Sequence, residues 1–256
     1  MKYAAIVQAR IGSSRLPGKI LADICGKPVL QWILERVQKS KNVDEVFVAT
    51  SIMPDNLPVV KLCAELGIRV FVGSEDDVLD RYYQIAKLVR PEYVVRVTAD
   101  CPCYDWTVLD RAIDELRPCT DYFSGLGETL PDGLDIEIIR FGALEAAWYE
   151  AELLSEREHV TSFIRNNFER FVHQNFVCPY GDLGHMRLTL DEEADLALIK
   201  CIYENFCNAG NPHFLTEDIL KLFEHQPELA RINAHIARNE GYAKSLLNDK
   251  IAYRMR

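Results

Sequence analysis

The chain has 256 residues, 48% of them hydrophobic and 27% charged, which suffices for one large domain or one domain with an elaboration. Its net charge of -10 argues against a general binder of nucleic acid or of anionic membrane. No apolar run approaches the ~20 residues of a membrane helix, the first residues lack a secretory pattern, and the eight cysteines show no zinc-site spacing, Cys101-Pro102-Cys103 included. A cytoplasmic address with reduced thiols is the expectation.

Residues 3–7 form an apolar run that reads as a buried first strand, and a loop of small and cationic residues follows it. Pro28 suits a helix first turn, and Val29, Leu30, Ile33, Leu34 and Val37 recur at helical spacing. The alternation then continues: strand 46–50, helix 57–66 stopped by Gly67, strand 68–72, helix 76–89, strand 93–97, helix 105–116. Near-continuous apolar strands alternating with helices predict an α/β fold, a mostly parallel, Rossmann-like sheet with helices on both faces. After about Pro118 the pattern turns irregular, a small mixed α+β elaboration. Strands are expected at 121–123, 134–139, 171–177 and 187–190, and a capping-box pattern at 155–158 opens a helix to about 167. Helices 192–206, 216–225 and 227–238 close the chain. With no repeat or flexible linker, the reading is one domain, 1–256, with halves 1–118 and 119–256.

The loop after the first strand carries the chemistry. Gly12, Ser13, Ser14 and Gly18 let backbone N–H groups approach a ligand, and Arg10, Arg15 and Lys19 place three cations beside them. That combination suits a polyphosphate; a solvated basic turn is the plainer alternative. It is not a Walker A loop, because five residues separate Gly12 from Gly18 and Ile20 follows Lys19 where a metal-binding hydroxyl would stand. Ligands in parallel sheets bind at the carboxyl ends of strands. The loop, Thr50-Ser51, Gly73-Ser74 and Thr98-Ala99-Asp100 all lie at such ends and are expected to share one crevice. Asp100, at a strand end facing a phosphate loop, is placed to hold Mg²⁺, or to cap a turn. Asp191, between strand 187–190 and the next helix, is a candidate second ligand and equally a candidate helix N-cap.

Ala-Arg-x-x-Ser-Ser-Arg-Leu-Pro-Gly-Lys, followed by Gly26-Lys27-Pro28, resembles the opening of the cytidylyltransferases that activate acidic sugars. The CMP-KDO synthetases, the acylneuraminate cytidylyltransferases and a spore-coat polysaccharide branch are the nearest of them. The resemblance implies a sheet of the nucleotide-diphospho-sugar transferase type, with 1–118 as the nucleotide-binding half and 119–256 as the acceptor side and a dimer surface. It implies that Asp100 matches the aspartate of a Gly-Asp-x-Pro metal motif, with Ala99 in place of the glycine. Asp191 matches the first aspartate of a late Asp-Thr-Pro-Glu-Asp-Leu motif, with Glu192 and Glu193 replacing Thr-Pro.

The implied reaction is attack of an acceptor oxygen on the α-phosphorus of CTP, leaving CMP on the acceptor and releasing pyrophosphate. Positioning and charge neutralisation supply most of such catalysis. Arg10, Arg15 and Lys19, with Gly12 and Ser13, would hold the triphosphate; Asp100 and Asp191 would hold Mg²⁺; groups near Ala9 and at Thr50-Ser51 would select the base. Arg81, in an Asp-Arg segment near the nucleotide in the family, contacts phosphate or base, or forms a surface ion pair. Alternation along 132–137 puts Asp135 and Glu137 on one face, toward the acceptor or metal or on a solvated edge. His159, in Arg-Glu-His-Val-Thr, is a general base or a packing residue. The acceptor expected is an acidic sugar or a small phosphorylated acid, for surface polysaccharide or glycan precursors, with no nucleic acid or membrane partner. Two other readings stand beside this one. A nucleotide-sugar glycosyltransferase would want Asp-x-Asp at the fourth strand end, where Asp100-Cys101-Pro102 lacks the second aspartate. A non-catalytic nucleotide-binding regulator would bind without turnover.

Overall fold

The computed structural model describes residues 1–13, 15–125, 129–238 and 249; Ser14 of the cationic loop lies outside them. The first half runs β1 (Tyr3–Gln8), a small hairpin β2 (Asp23–Ile24) and β3 (Lys27–Pro28), α1 (Val29–Val37), β4 (Glu45–Ser51), α2 (Leu57–Glu65), β5 (Arg69–Gly73), α3 (Val78–Val89), β6 (Tyr93–Thr98) and α4 (Trp106–Glu115). The second runs β7 (Tyr122–Ser124), β8 (Glu137–Arg140), α5 (Phe141–Glu150), α6 (Leu154–Glu158), α7 (Ser162–Asn166), β9 (His173–Asn175), α8 (Glu193–Asn208) and α9 (Thr216–His225).

Seven strands form one sheet in the order β5-β4-β1-β6-β8-β7-β9. β5, β4, β1 and β6 are parallel, as the alternation predicts, while β8 runs antiparallel to both β6 and β7. Alternate residues of β1 enter separate cores. Ala5 and Val7 pack with α1, α4 and α8, and Ala4 and Ile6 pack with α3 and α5. Both faces are therefore covered, which is why the strand reads as unbroken apolar sequence. The chain leaves β1 for β4 on one side and reaches β6 on the other, so a crevice opens at the carboxyl ends of β1 and β6.

The second half departs from its sequence reading in several places. The helix expected from 155 to about 167 is two short helices, because Val160 takes φ 60, a left-handed conformation that ends α6. The cap is also shifted: Glu156 accepts from the Leu153 N–H at 3.1 Å, two residues earlier than the pattern suggests. The strand expected at 134–139 begins at Glu137, and that at 171–177 shrinks to β9. Residues 187–190 make a single bridge, Asp132 to Arg187, rather than a strand. Residues 227–238 hold one 3-10 turn, Leu229–Arg231, and Asn233 pins the segment by donating to Arg187 O and Asp195. α5 went unpredicted, since its apolar run continues that of β8 without a break; Ala143, Leu144 and Ala147 face the sheet.

Candidate active site

The loop leaves β1 with Ala9 donating to Ala49 O and turns back at Gly18, whose φ of 73 is open to glycine at no cost. A 3-10 turn, Lys19–Leu21, then aims Lys19 inward. Its Nζ lies 3.2 Å from Asp100 Oδ2 and 2.7 Å from Asp191 Oδ1. Burial pushes the Lys19 ammonium down, and the two carboxylates outweigh it and raise it. Burial likewise pushes Asp100 up, and the Lys19 charge with hydrogen bonds from Thr98, Lys19 and Cys101 brings its carboxyl to about 2.

Asp100 and Asp191 meet because the segment 187–191 docks on the end of β6. Leu190 N–H and Thr189 Oγ1 both donate to Asp100 O. Gly133 makes the docking sterically open, since a Cβ there would stand 2.5 Å from Thr189 N. Asp191 is not the cap of α8; Glu192 holds that position, and the backbone N–H groups of Asp191 and Glu192 both donate to Asp195. The Asp191 side chain is left for the cleft, where Arg15 at 3.0 Å and Arg187 at 3.3 Å join Lys19 on it. Arg187 is buried and also pairs with Asp132 and Asp195, a clamp that sequence reasoning passed over as a strand residue.

A cleft of about 500 Å³ runs from this cluster along the loop to α6, with Gly12, Ser13, Arg10, Thr98 and Ala99 on its walls. Arg10 sits at the far end from Asp191, 3.0 Å from Glu75 and 3.8 Å from Glu158. A smaller cavity of about 130 Å³ adjoins it there, lined by Gln8, Ala9, Val78 and Arg81 among others. Arg81 is no surface ion pair. It is 2% exposed, its Nε and Nη1 have no hydrogen-bond partner, and burial together with the Arg10 charge pushes its guanidinium down. Gln8 Oε1 is also buried and unpartnered. Gln8 was missed in the sequence, although it is the one polar residue of β1.

Other expected residues lie elsewhere. Thr50 and Ser51 are buried and line neither cavity. Glu137 is no solvated edge: it is 2% exposed and bound by Arg96, Tyr122 and Thr161. Asp135 turns to Arg238 at 2.7 Å, away from the cleft lining, and burial pushes its carboxyl up to about 6. His159 does reach the cleft, next to Glu158, and burial with the Arg96 and Arg165 charges lowers its imidazole against the pull of Glu158 and Glu137. Cys101 and Cys103 are buried thiols, both pushed up by burial. Among the described residues no helix is long and apolar enough to cross a membrane.

The donor chemistry at Lys19 fits a magnesium ion: two carboxylates converge on one point beside a cationic loop, and Mg²⁺ takes one or two carboxylates plus phosphate oxygens. Comparison with known proteins shows the family. Residues 4–243 match the model of the cytidylyltransferase family. The chain is 33% identical to the spore coat polysaccharide biosynthesis protein SpsF of Bacillus subtilis, over 88% of this chain and 95% of that one. A cytidylyltransferase structure from Leptospira borgpetersenii superposes with TM-score 0.84 at 29% identity, covering 90% of this chain and 97% of the other. A CMP:2-keto-3-deoxy-manno-octonic acid synthetase solved with CTP shares the fold, with TM-score 0.63 at 18% identity over 80% of this chain and 99% of its own. The chain belongs to the cytidylyltransferase family.

Proposed function

We propose that this chain transfers CMP from CTP to a hydroxyl of an acidic sugar or small phosphorylated acid, releases pyrophosphate, and so supplies precursors for surface polysaccharide or another glycan. The observation that carries the reading is the convergence of Asp100 and Asp191 on Lys19, at the mouth of the loop that holds Arg10 and Arg15. Arg15 and Lys19 neutralise the β- and γ-phosphates and the pyrophosphate that leaves, while Arg10, Gly12 and Ser13 orient the chain of phosphates. Asp100 and Asp191 would hold Mg²⁺, which when bound would supply positive charge to the phosphates. Lys19 then exchanges the carboxylates for phosphate oxygens, an exchange that keeps every charge in the cluster paired.

The smaller cavity takes the base. Cytosine carries two neighbouring acceptors, O2 and N3, and a donor amine at N4. Arg81 offers unpaired donors and Gln8 an unpaired acceptor, a set that can meet the O2, N3 and N4 edge of cytosine. The reading takes the protein as a cytoplasmic homodimer.

Pyrophosphate release tests it, measured with Mg²⁺, each nucleoside triphosphate in turn, and a panel of sugar acids and phosphorylated small acids. The expected result is release with CTP that depends on one acceptor and vanishes in Asp100→Ala. Equal release with UTP would overturn the base assignment, and a wild-type protein that binds no nucleotide would overturn the whole reading.

A further inference from the structure

Asn56 stands at the N-cap of α2, and its side chain makes no cap bond. Asparagine at this position ordinarily turns its side-chain oxygen to the free N–H groups of its own helix. Here Oδ1 accepts instead from the Ile11 N–H at 2.8 Å, and Nδ2 donates to Ser51 Oγ at 2.8 Å. Only an acceptor satisfies Ile11 N–H, so the amide's orientation is determined by its partners. The residue is 3% exposed.

Ile11 is the pivot of the cationic loop. Its carbonyl accepts from Ser13 N at 2.7 Å and from Gly18 N at 3.3 Å, which closes the neck from which Arg10, Gly12 and Ser13 reach the cleft. Among the described residues Ile11 thus has two backbone bonds from inside the loop and one bond from outside it. The outside bond comes from the turn Pro54–Asn56, anchored in turn on Ser51 at the end of β4.

We propose that Asn56 is a positioning residue for the triphosphate: it holds Ile11 on the end of β4 and so sets the direction in which Arg10 and the Gly12-Ser13 backbone face the phosphates. This rests on the nucleotide reading above and extends it to a residue that lines neither cavity. It also gives Ser51 a task other than base selection, as the anchor of Asn56.

The test needs no acceptor. Binding of Mg-CTP is measured by calorimetry on the full chain for the wild type, Asn56→Leu and Asn56→Asp, alongside thermal melts and exchange of the Ile11 amide proton. Asn56→Leu removes the acceptor and is expected to weaken Mg-CTP by roughly 10-fold to 100-fold, the scale of loss when a binding group is misplaced by about 1 Å. Ile11 exchange accelerates in parallel. Asn56→Asp keeps an oxygen for Ile11 and recovers most of the affinity. An Asn56→Leu protein that binds Mg-CTP within about threefold of the wild type overturns the proposal. So does Asn56→Asp binding as weakly as Asn56→Leu. Should Asn56→Leu fail to melt cooperatively, Ser51→Ala loosens the same anchor from the other end; a loss of about threefold or more supports the proposal, and unchanged affinity overturns it. Wild-type protein without affinity for Mg-CTP would sink the nucleotide reading instead.

Discussion

The two ends of the cleft are built on opposite electrostatic plans. At one end Lys19, Arg15, Arg187, Asp100 and Asp191 form a network in which each charge has a partner of the other sign. In the smaller cavity at the other end, Arg81 Nε and Nη1 and Gln8 Oε1 are buried and meet no hydrogen-bond partner among the described residues. The first arrangement suits ligands that bring charge, because ions and phosphates can replace partners one for one. The second suits a ligand that brings hydrogen-bonding edges, since burying unmet polar groups costs stability that binding returns.

The sharpest way to break this comparison is at the paired end. Asp100→Asn keeps the shape, removes a charge, and is expected to lower pyrophosphate release by about 10²–10³-fold, the usual cost of losing one charge-stabilising group. Affinity for CTP changes far less, because the base contacts remain. At the unpaired end Arg81→Leu should do the reverse. Calorimetry is expected to show CTP bound roughly 10-fold to 100-fold more weakly, the equivalent of a hydrogen bond to a charged group. The melting temperature of the free protein is expected to rise, because an unmatched buried guanidinium is gone. A fall in melting temperature would show that Arg81 is a structural residue.

Acid titration tests the paired end more finely, with Asp135, outside the cleft lining, as its contrast. The Asp100 carboxyl lies at about 2 against an ordinary 3.8, so its contribution is complete above 3.8 and is lost as pH falls through about 2. Denaturant melts at falling pH should lose on the order of 2 kcal/mol from this group, and Asp100→Asn should lack that loss. Asp135 gives an effect of similar size and the opposite sign. With its carboxyl raised from 3.8 to about 6, the folded protein binds the extra proton between those values. Stability therefore declines as pH rises through that window and is flat above it. Asp135→Asn is expected to flatten thermal melts compared between about pH 4 and about pH 7, with little change in activity.

Legibility in the sequence follows the same division as the chain. The parallel half could be read because its strands are buried on both faces and its helices carry one apolar stripe, so local pattern and final structure agree. Arg10, Arg15, Lys19 and Asp100 were readable as neighbours because a parallel sheet places every strand end on one edge. The second half was not, because its shape comes from side chains and not from backbone periodicity. Val160 breaks a helix that its sequence favours, and the neighbouring Thr161 hydroxyl bonds Glu137. Arg187 and Asn233 hold a segment that has no regular structure of its own. For Arg81 a ligand contact and a surface ion pair stood level, because helical spacing says which face a residue takes and nothing of how deep that face lies.

The docking of residues 187–191 on the end of β6 has a consequence for how the protein comes into being. Asp100 belongs to the parallel half, whereas Asp191 reaches it from the irregular half, where Leu190 N–H bonds Asp100 O. The contact closes a loop from residue 100 to residue 190, a long-range closure with an entropic cost. A nascent or clipped chain therefore holds the cationic loop and one carboxylate, without the second. On the proposed reading of the two carboxylates as metal ligands, a copy cut before residue 187 lacks one of the pair.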